Sequence, residues 1–194
     1  MEIRIPISIL PSYAYCPYKA YLELSGVEGA ETKELIMGRK WHDLLQKEYE
    51  SKSNILTSIE EARKMAKEKE LYIIFRELPV ENEILYGKID EVWITPVGIF
   101  IWDDKPKVWF GYKLQLMAYA YAMTTGYGIK ERVVIGIREL PNRKIAWKDL
   151  FKRKHEKLVE KFVSRLLNNL ERGEFKKRSG KFCKKCKYKK VCYG

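Results

Sequence analysis

The chain lacks a long hydrophobic run. Its apolar stretches are short and broken by charges, and none reaches the roughly 20 residues a helix needs to cross a bilayer. The opening segment, Met1-Glu2-Ile3-Arg4-Ile5-Pro6, is not built like a secretory signal. These two absences predict a cytoplasmic protein with no membrane partner. A phosphate-cradling glycine loop of the GxxxxGK(S/T) kind is missing, which argues against an ATP-driven motor. No internal repeat or low-complexity linker is found. Histidine is scarce, at 2 residues. Acidic residues are outnumbered, 26 against 38 Lys and Arg, giving a formal charge of +12. The imbalance peaks from Arg172 to Lys190, with ten Lys or Arg and one acid, Glu174. Such a run repels itself. It gains from counterion release on a phosphate backbone, so a polyanionic partner is expected.

Cysteine is absent from the long middle of the chain. One thiol, Cys16, stands near the start in Tyr15-Cys16-Pro17-Tyr18, and three crowd the end as Cys183-Lys184-Lys185-Cys186 and Cys192. In a reducing compartment clustered cysteines lean toward metal binding rather than disulfides. Cys183 and Cys186 put two thiolates on one turn, a chelating spacing. Cys192 makes three, and Cys16 is the thiol left to supply a fourth. Zinc and an iron–sulphur cluster both accept four thiolates, and spacing alone does not choose between them.

With 194 residues, 46% hydrophobic and 33% charged, the chain has the balance of one globular domain around one core. Pro11–Leu24 reads as a short helix. Glu31–Glu50 reads as a stronger one, with Leu35, Ile36, Trp41, Leu44, Leu45 and Tyr49 at helical spacing. A polar surface helix follows over about Thr57–Glu70, with Asn54 and Ser58 near its start. Strands are predicted over Leu71–Leu78, Ile84–Thr95 and Gly98–Asp103, the last two joined by a turn at Pro96-Val97-Gly98. A helix over Phe110–Thr125, a strand over Glu131–Leu140 and a long helix over Trp147–Leu170 complete an α/β core. The expected layout is a single domain over 1–194. It has a helical lobe over about 1–70, a core over about 71–170, and a basic tail over 171–194 that closes onto Cys16.

Two strands carry chemistry. Asp90 ends Gly87-Lys88-Ile89-Asp90, and the next strand ends in Asp103-Asp104-Lys105. Residues two apart on a strand share a face, so Asp103 and Lys105 point one way and Asp104 the other. If the strands pair through the short turn, Asp90 and Asp103 meet at one edge of the sheet. Two carboxylates that close repel each other unless a cation lies between them, and a hard divalent ion suits oxygen ligands. Lys105 can then orient a water and steady charge developing on phosphorus. Adjacent carboxylates oppose the downward pKa shift it would need to act as a free base. Gln115 and Tyr119, four apart on the next helix, share a face and offer hydrogen bonds. His42 falls near an apolar helix face, where it is either a buried imidazole or a nitrogen ligand. His155, among Lys and Glu, reads as a surface residue. Tyr13, Tyr15, Tyr18 and Tyr21 on the first helix are available for packing or base stacking.

Taken in order, His42, Gly87-Lys88-Ile89-Asp90, Asp103-Asp104-Lys105 and Gln115-Leu116-Met117-Ala118-Tyr119 resemble the motif series of RecB-like nucleases of the PD-(D/E)xK superfamily. One early and three late cysteines are similar to the plan of the CRISPR-associated exonucleases in that group. The resemblance runs over nearly the whole chain. It implies a restriction-endonuclease-like α/β core with a helical N-terminal lobe and a Cys-rich C-terminal segment. It implies an iron–sulphur cluster, most often 4Fe-4S, on Cys16, Cys183, Cys186 and Cys192. It implies His42, Asp90 and Asp103 as ligands of Mn²⁺ or Mg²⁺, the carbonyl of Asp104 adding to them, with Lys105 as the catalytic lysine. Gln115 and Tyr119 would contact the DNA or support the site. The implied activity is hydrolysis of phosphodiesters in single-stranded DNA, commonly as a 5′→3′ exonuclease and in some members also within the strand. The implied partners are DNA and the CRISPR integrase that receives trimmed spacers. Asp103 departs from the Glu of many relatives, though either carboxylate binds a metal. Apart from the resemblance, a non-catalytic DNA-binding or assembly module with a structural zinc or iron–sulphur site is the competing reading.

Overall fold

The computed structural model describes residues 3–52, 57–180 and 183–193. In chain order the elements are β1 (Ile5–Pro6), α1 (Ile9–Tyr15), α2 (Pro17–Leu24), α3 (Lys33–Lys52), α4 (Ile59–Lys69), β2 (Ile73–Glu81), β3 (Leu85–Thr95), β4 (Gly98–Lys105), α5 (Phe110–Gly126), β5 (Val133–Glu139), β6 (Lys144–Leu150) and α6 (Arg153–Arg172). A 3₁₀ turn at Cys183–Lys185 and a short α7 (Lys189–Tyr193) follow. The fold is a mixed α/β core with helices gathered at the N-terminus and cysteines at the C-terminus.

The six strands form one sheet in the order β1-β3-β4-β5-β6, with β2 on the other edge of β3. The β3–β4 and β5–β6 pairs are antiparallel, and β4–β5 is parallel. The turn between β3 and β4 closes on Gly98 at φ 144°, a conformation that a side chain disfavours, with Thr95 Oγ1 donating to the Gly98 carbonyl at 2.8 Å. Alternate residues Ile99 and Ile101 of β4 and Val133, Ile135 and Ile137 of β5 are buried. They join Leu114, Ala118 and Met123 of α5 in the core. Helix α5 is apolar on nearly every side, as befits a helix buried between the sheet and a second layer. That layer is α1 and α6, both packed on α5. On α6 the stripe Val159, Val163 and Leu166 is buried, and Gly173 in the left-handed region ends the helix.

Several elements differ from the sequence expectation. The first helix is two, because Cys16 before Pro17 is extended at φ −161° and ψ 119°. A residue before proline is pushed out of the helical region, while proline suits the first helical position. The expected start of the long helix at Trp147 is instead strand β6, with Ile137↔Trp147 and Arg138↔Ile145 paired across it. Cross-strand pairing with β5 outweighs the helical spacing there. Strand β1 is too short for any periodicity to reveal. On α3, Leu35, Ile36 and Leu44 are exposed. Ser58 caps α4 in a reciprocal box with Glu61; Asn54 lies outside the described residues.

Candidate active site

Two strands part at this site. β3 and β4 pair from Thr95↔Gly98 to Glu91↔Trp102. Beyond that pair β4 continues against β5 alone, through Asp103↔Ile137, Asp104↔Arg138 and Lys105↔Glu139. β3 continues against β2 and meets β1 at Leu85 and Tyr86. Asp90 and Asp103 are thus the first residues past the last rung, one on each arm of a fork. Their carboxyls lie close enough for each to shift the other's pKa.

Burial drives both carboxyls toward the neutral form, and the pair splits the burden unequally. Asp103, only 3% exposed, is pushed well up by burial, more than Lys105 restores, with the Asp90 charge adding to the rise. Asp90 is held low despite its own burial by the neighbouring His42, the Lys105 charge and the adjacent Asp103 carboxyl. Lys105 Nζ lies 2.7 Å from Asp103 Oδ1, but off the line of a hydrogen bond, so that buried oxygen keeps no hydrogen-bond partner. Burial disfavours the ammonium, yet Asp103 and Asp90 outweigh it and keep Lys105 protonated far above neutral pH. The cluster is short of positive charge in spite of that lysine.

From α3, His42 Nε2 reaches to 2.8 Å from Glu77 Oε1 and 3.7 Å from Asp90 Oδ1. Asp90 beside it raises the imidazole pKa beyond what burial takes away. Donor atoms of His42, Glu77 and Asp90 all lie within 4.8 Å of one another. Among the described residues they are the set of three or more potential ligands that meets this distance. One imidazole nitrogen, carboxylate oxygens and an orphaned Asp103 oxygen suit a hard divalent cation such as Mn²⁺ or Mg²⁺.

Glu77 was not among the residues expected. It lies in β2 at φ 50°, and the β2–β3 register skips it, pairing Arg76↔Glu91 and then Leu78↔Ile89. The local twist turns its carboxylate toward Asp90. The signal available in sequence was an acid, Glu77, following the apolar run Tyr72-Ile73-Ile74-Phe75.

Gln115 and Tyr119 face the fork from α5. Gln115 Nε2 donates to Tyr119 Oη at 3.4 Å, and both side chains are buried. Burial, then Asp90 and Asp103, push the Tyr119 phenol far up, so it remains a hydrogen-bond donor. The ring reaches the carboxylates because residue 87 is glycine: a Cβ there would stand 3.0 Å from Tyr119 Cε1. Asp104 turns its carboxylate to the opposite face, where Arg138 Nε donates at 2.8 Å. Only its main-chain carbonyl remains to serve the fork.

The four cysteines line one cavity with Tyr15, Tyr18, Lys19, Lys177 and Arg178. All four are free thiols, and the Arg178 amide donates to Cys16 Sγ at 3.4 Å. The tyrosines of the first helices pack: Tyr13 against Phe162, Tyr18 against Tyr21, and Tyr21 against Phe175. His155 corrects the expectation of a surface residue. It is 4% exposed, and its Nδ1 accepts from the Lys152 amide at 3.2 Å, which folds the ring under the start of α6.

No curated protein matches the chain. The family model described as PD-(D/E)XK nuclease superfamily matches residues 55–193, a span that holds Glu77, Asp90, Asp103 and Lys105 but not His42 or Cys16. Two crystal structures share the fold. One is of a provisionally named exonuclease from Eubacterium rectale, 14% identical, TM-score 0.55, covering 94% of this chain and 85% of that one. The other is of SSO0001, 17% identical, TM-score 0.50, covering 100% of this chain and 87% of that one. Among the described residues, no helix is long and apolar enough to cross a membrane.

Proposed function

The chain belongs to the PD-(D/E)XK nuclease superfamily, and on that premise we propose that it is a divalent-metal-dependent DNA nuclease acting on single-stranded ends. The observation that carries the reading is the placing of Asp90 and Asp103 side by side at the β3–β4 fork, with Lys105 Nζ 2.7 Å from Asp103. His42, Glu77 and Asp90, whose donor atoms converge, would hold the ion together with Asp103, and the main-chain carbonyl of Asp104 could add to them. A bound Mn²⁺ or Mg²⁺ supplies a more acidic water and neutralises phosphate charge. Lys105, kept protonated by its carboxylates, binds a phosphate oxygen and opposes the charge that develops there. Tyr119 and Gln115 donate hydrogen bonds to the same group and keep bulk water from the buried side of the fork. The net charge of +12 favours a polyanionic substrate.

The cysteine cavity is the proposed seat of an iron–sulphur cluster. Four thiol-bearing residues line it, and an amide already donates to one sulphur. Together with the order of the site motifs, this supports the finer reading of a 5′→3′ exonuclease trimming DNA for a CRISPR integrase. The name given to the Eubacterium rectale protein, an exonuclease, accords with that activity.

The test is release of nucleotides from 5′- and 3′-labelled single-stranded oligonucleotides with added Mn²⁺. Asp103→Asn and Lys105→Ala are expected to abolish cleavage and leave DNA affinity nearly intact. A folded, metal-loaded chain that cuts neither end nor the interior would instead be a DNA-binding or assembly module.

A further inference from the structure

Behind the fork, on the opposite face of the sheet, lies a second set of charged residues. Arg76, Glu91, Asp104 and Arg138 have side chains at most 9% exposed. Arg143, from the β5–β6 turn, is 32% exposed. Strand alternation ties this set to the site residue by residue. Arg76 precedes Glu77, Glu91 follows Asp90, and Asp104 stands between Asp103 and Lys105. Each strand that brings a ligand or the lysine to the front therefore brings a charged partner to the back.

The bonds within the set cross the fork. Arg138 Nη1 donates to Glu91 Oε1 at 2.6 Å, while Nε and Nη2 donate to Asp104 at 2.8 and 3.1 Å. Arg143 repeats the bridge, with Nη2 to Glu91 Oε2 at 2.6 Å and Nε to Asp104 Oδ2 at 3.1 Å. Arg76 Nη1 adds β2 through Glu91 at 2.9 Å. Trp93 Nε1 donates to Glu91 at 2.7 Å, and the Arg138 guanidinium sits 5.5 Å from the Trp102 ring and 6.0 Å from Trp93. Indole rings thus cover the ions from water on that face.

Backbone pairing cannot do this job. The β3–β4 ladder ends at Glu91↔Trp102, so the main chain carries no bond between the arms that hold Asp90 and Asp103. A buried ion network also contributes little net stability compared with an apolar cluster of the same size. What it does supply is fixed geometry, since two planar guanidinium groups each hold both acids in set directions.

We infer that Arg138 and Arg143 are positioning residues of the metal site, a double clamp across the back of the fork that sets the separation of Asp90 and Asp103. The inference rests on the nuclease reading only where cleavage is the readout. Mn²⁺ affinity tests it alone.

The experiment compares Arg138→Met and Arg143→Met with Val163→Ala, a cavity in the buried stripe of α6 that lowers stability without touching the fork. Free Mn²⁺ is titrated by electron paramagnetic resonance, at a temperature where circular dichroism finds each variant folded. Cleavage of a single-stranded oligonucleotide is measured alongside. The clamp predicts Mn²⁺ affinity and kcat falling about 10- to 100-fold in both arginine variants, the range for groups that orient metal ligands. KM for DNA stays near the wild-type value, and Val163→Ala keeps wild-type Mn²⁺ affinity. Arg143, partly exposed, gives a variant that folds even where loss of Arg138 leaves buried acids too poorly paired. Arginine variants that melt early but bind Mn²⁺ as Val163→Ala does would overturn the clamp. A wild-type chain that binds Mn²⁺ and cuts nothing would overturn the proposed nuclease activity, while the affinity comparison would still decide the clamp.

Discussion

Glu77 offers its carboxylate to His42 at 2.8 Å from a backbone position, φ 50°, that glutamate seldom occupies. Strain of this kind collects where geometry serves a site rather than stability. Glycine is at ease in the left-handed region. Glu77→Gly is therefore expected to stabilise the fold by about 1 kcal/mol, the cost a side chain adds there, while weakening Mn²⁺ binding. Thermal melting and Mn²⁺ titration should move in opposite directions. A variant that loses stability and metal affinity together would make Glu77 a structural residue.

Glu77 also marks where reading the sequence stops. Asp90, Asp103 and Lys105 were legible because strand alternation and a short turn suffice to bring them to one edge. Gln115 and Tyr119 followed from helical spacing. Glu77 depends on one residue leaving the strand conformation, and no periodicity reports that. Trp147 read as helix because Phe151, Leu158 and Val159 continue its spacing, whereas its partner Ile137 is visible only once the sheet forms. His155 sits among charges in sequence but under the start of α6 in space. Arg138 reads in sequence only as a residue alternating with Val133, Ile135 and Ile137, which says nothing about the acids it meets.

Metal binding at the fork must be linked to pH. In the metal-free chain burial raises Asp103, and the nearby Asp90 carboxylate raises His42. Both groups bind the metal only after losing a proton. The sign follows: with folded-state pKa values raised, protons compete more strongly as pH falls, so affinity climbs with pH until both groups are free. Calorimetric titration of Mn²⁺ in buffers of different ionisation enthalpy should register proton release near neutral pH. Asp103→Asn should reduce the number released. Equal heats in all buffers would rule the linkage out.

The position of Gly87 allows a subtler test. A Cβ there would lie 3.0 Å from Tyr119 Cε1 and 3.4 Å from Ile7 Cβ, closer than a buried ring and a β-branched side chain easily yield. Gly87→Ala is expected to cost about 1–3 kcal/mol, as overpacking does, and to lower kcat by shifting Tyr119 from the fork. Denaturant melts and single-turnover cleavage measure the two effects. Full activity with lowered stability would place Tyr119 outside the chemistry.

Cys16 is held by Pro17 at the break between α1 and α2, far in sequence from the three cysteines of the tail with which it lines one cavity. A group that bound all four would join the ends of the chain, and its binding energy would be folding energy. Cys16→Ser should therefore lose iron and acid-labile sulphide, lose visible charge-transfer absorbance, and melt well below the wild type. If Cys16→Ser keeps its iron content and melting temperature, the fourth ligand lies elsewhere.

The last prediction concerns the fold away from the site. Glu131 accepts from Arg63 at 2.6 Å and Lys67 at 2.9 Å, tying α4 to the segment that leads into β5. Burial alone would raise its pKa, but the Arg63 and Lys67 hydrogen bonds pull it down to about 2. A depressed carboxylate contributes stability that is complete above its unfolded pKa, near 4.5. That stability is lost as pH falls toward about 2. Glu131→Gln should cost about 1–2 kcal/mol at neutral pH, since the three charge-assisted bonds from Arg63 and Lys67 are partly exposed. The gap between variant and wild type should narrow steadily below pH 4.5. Urea melts across that range decide it: a gap that stays constant with pH would mean the glutamate acts by shape and not by charge.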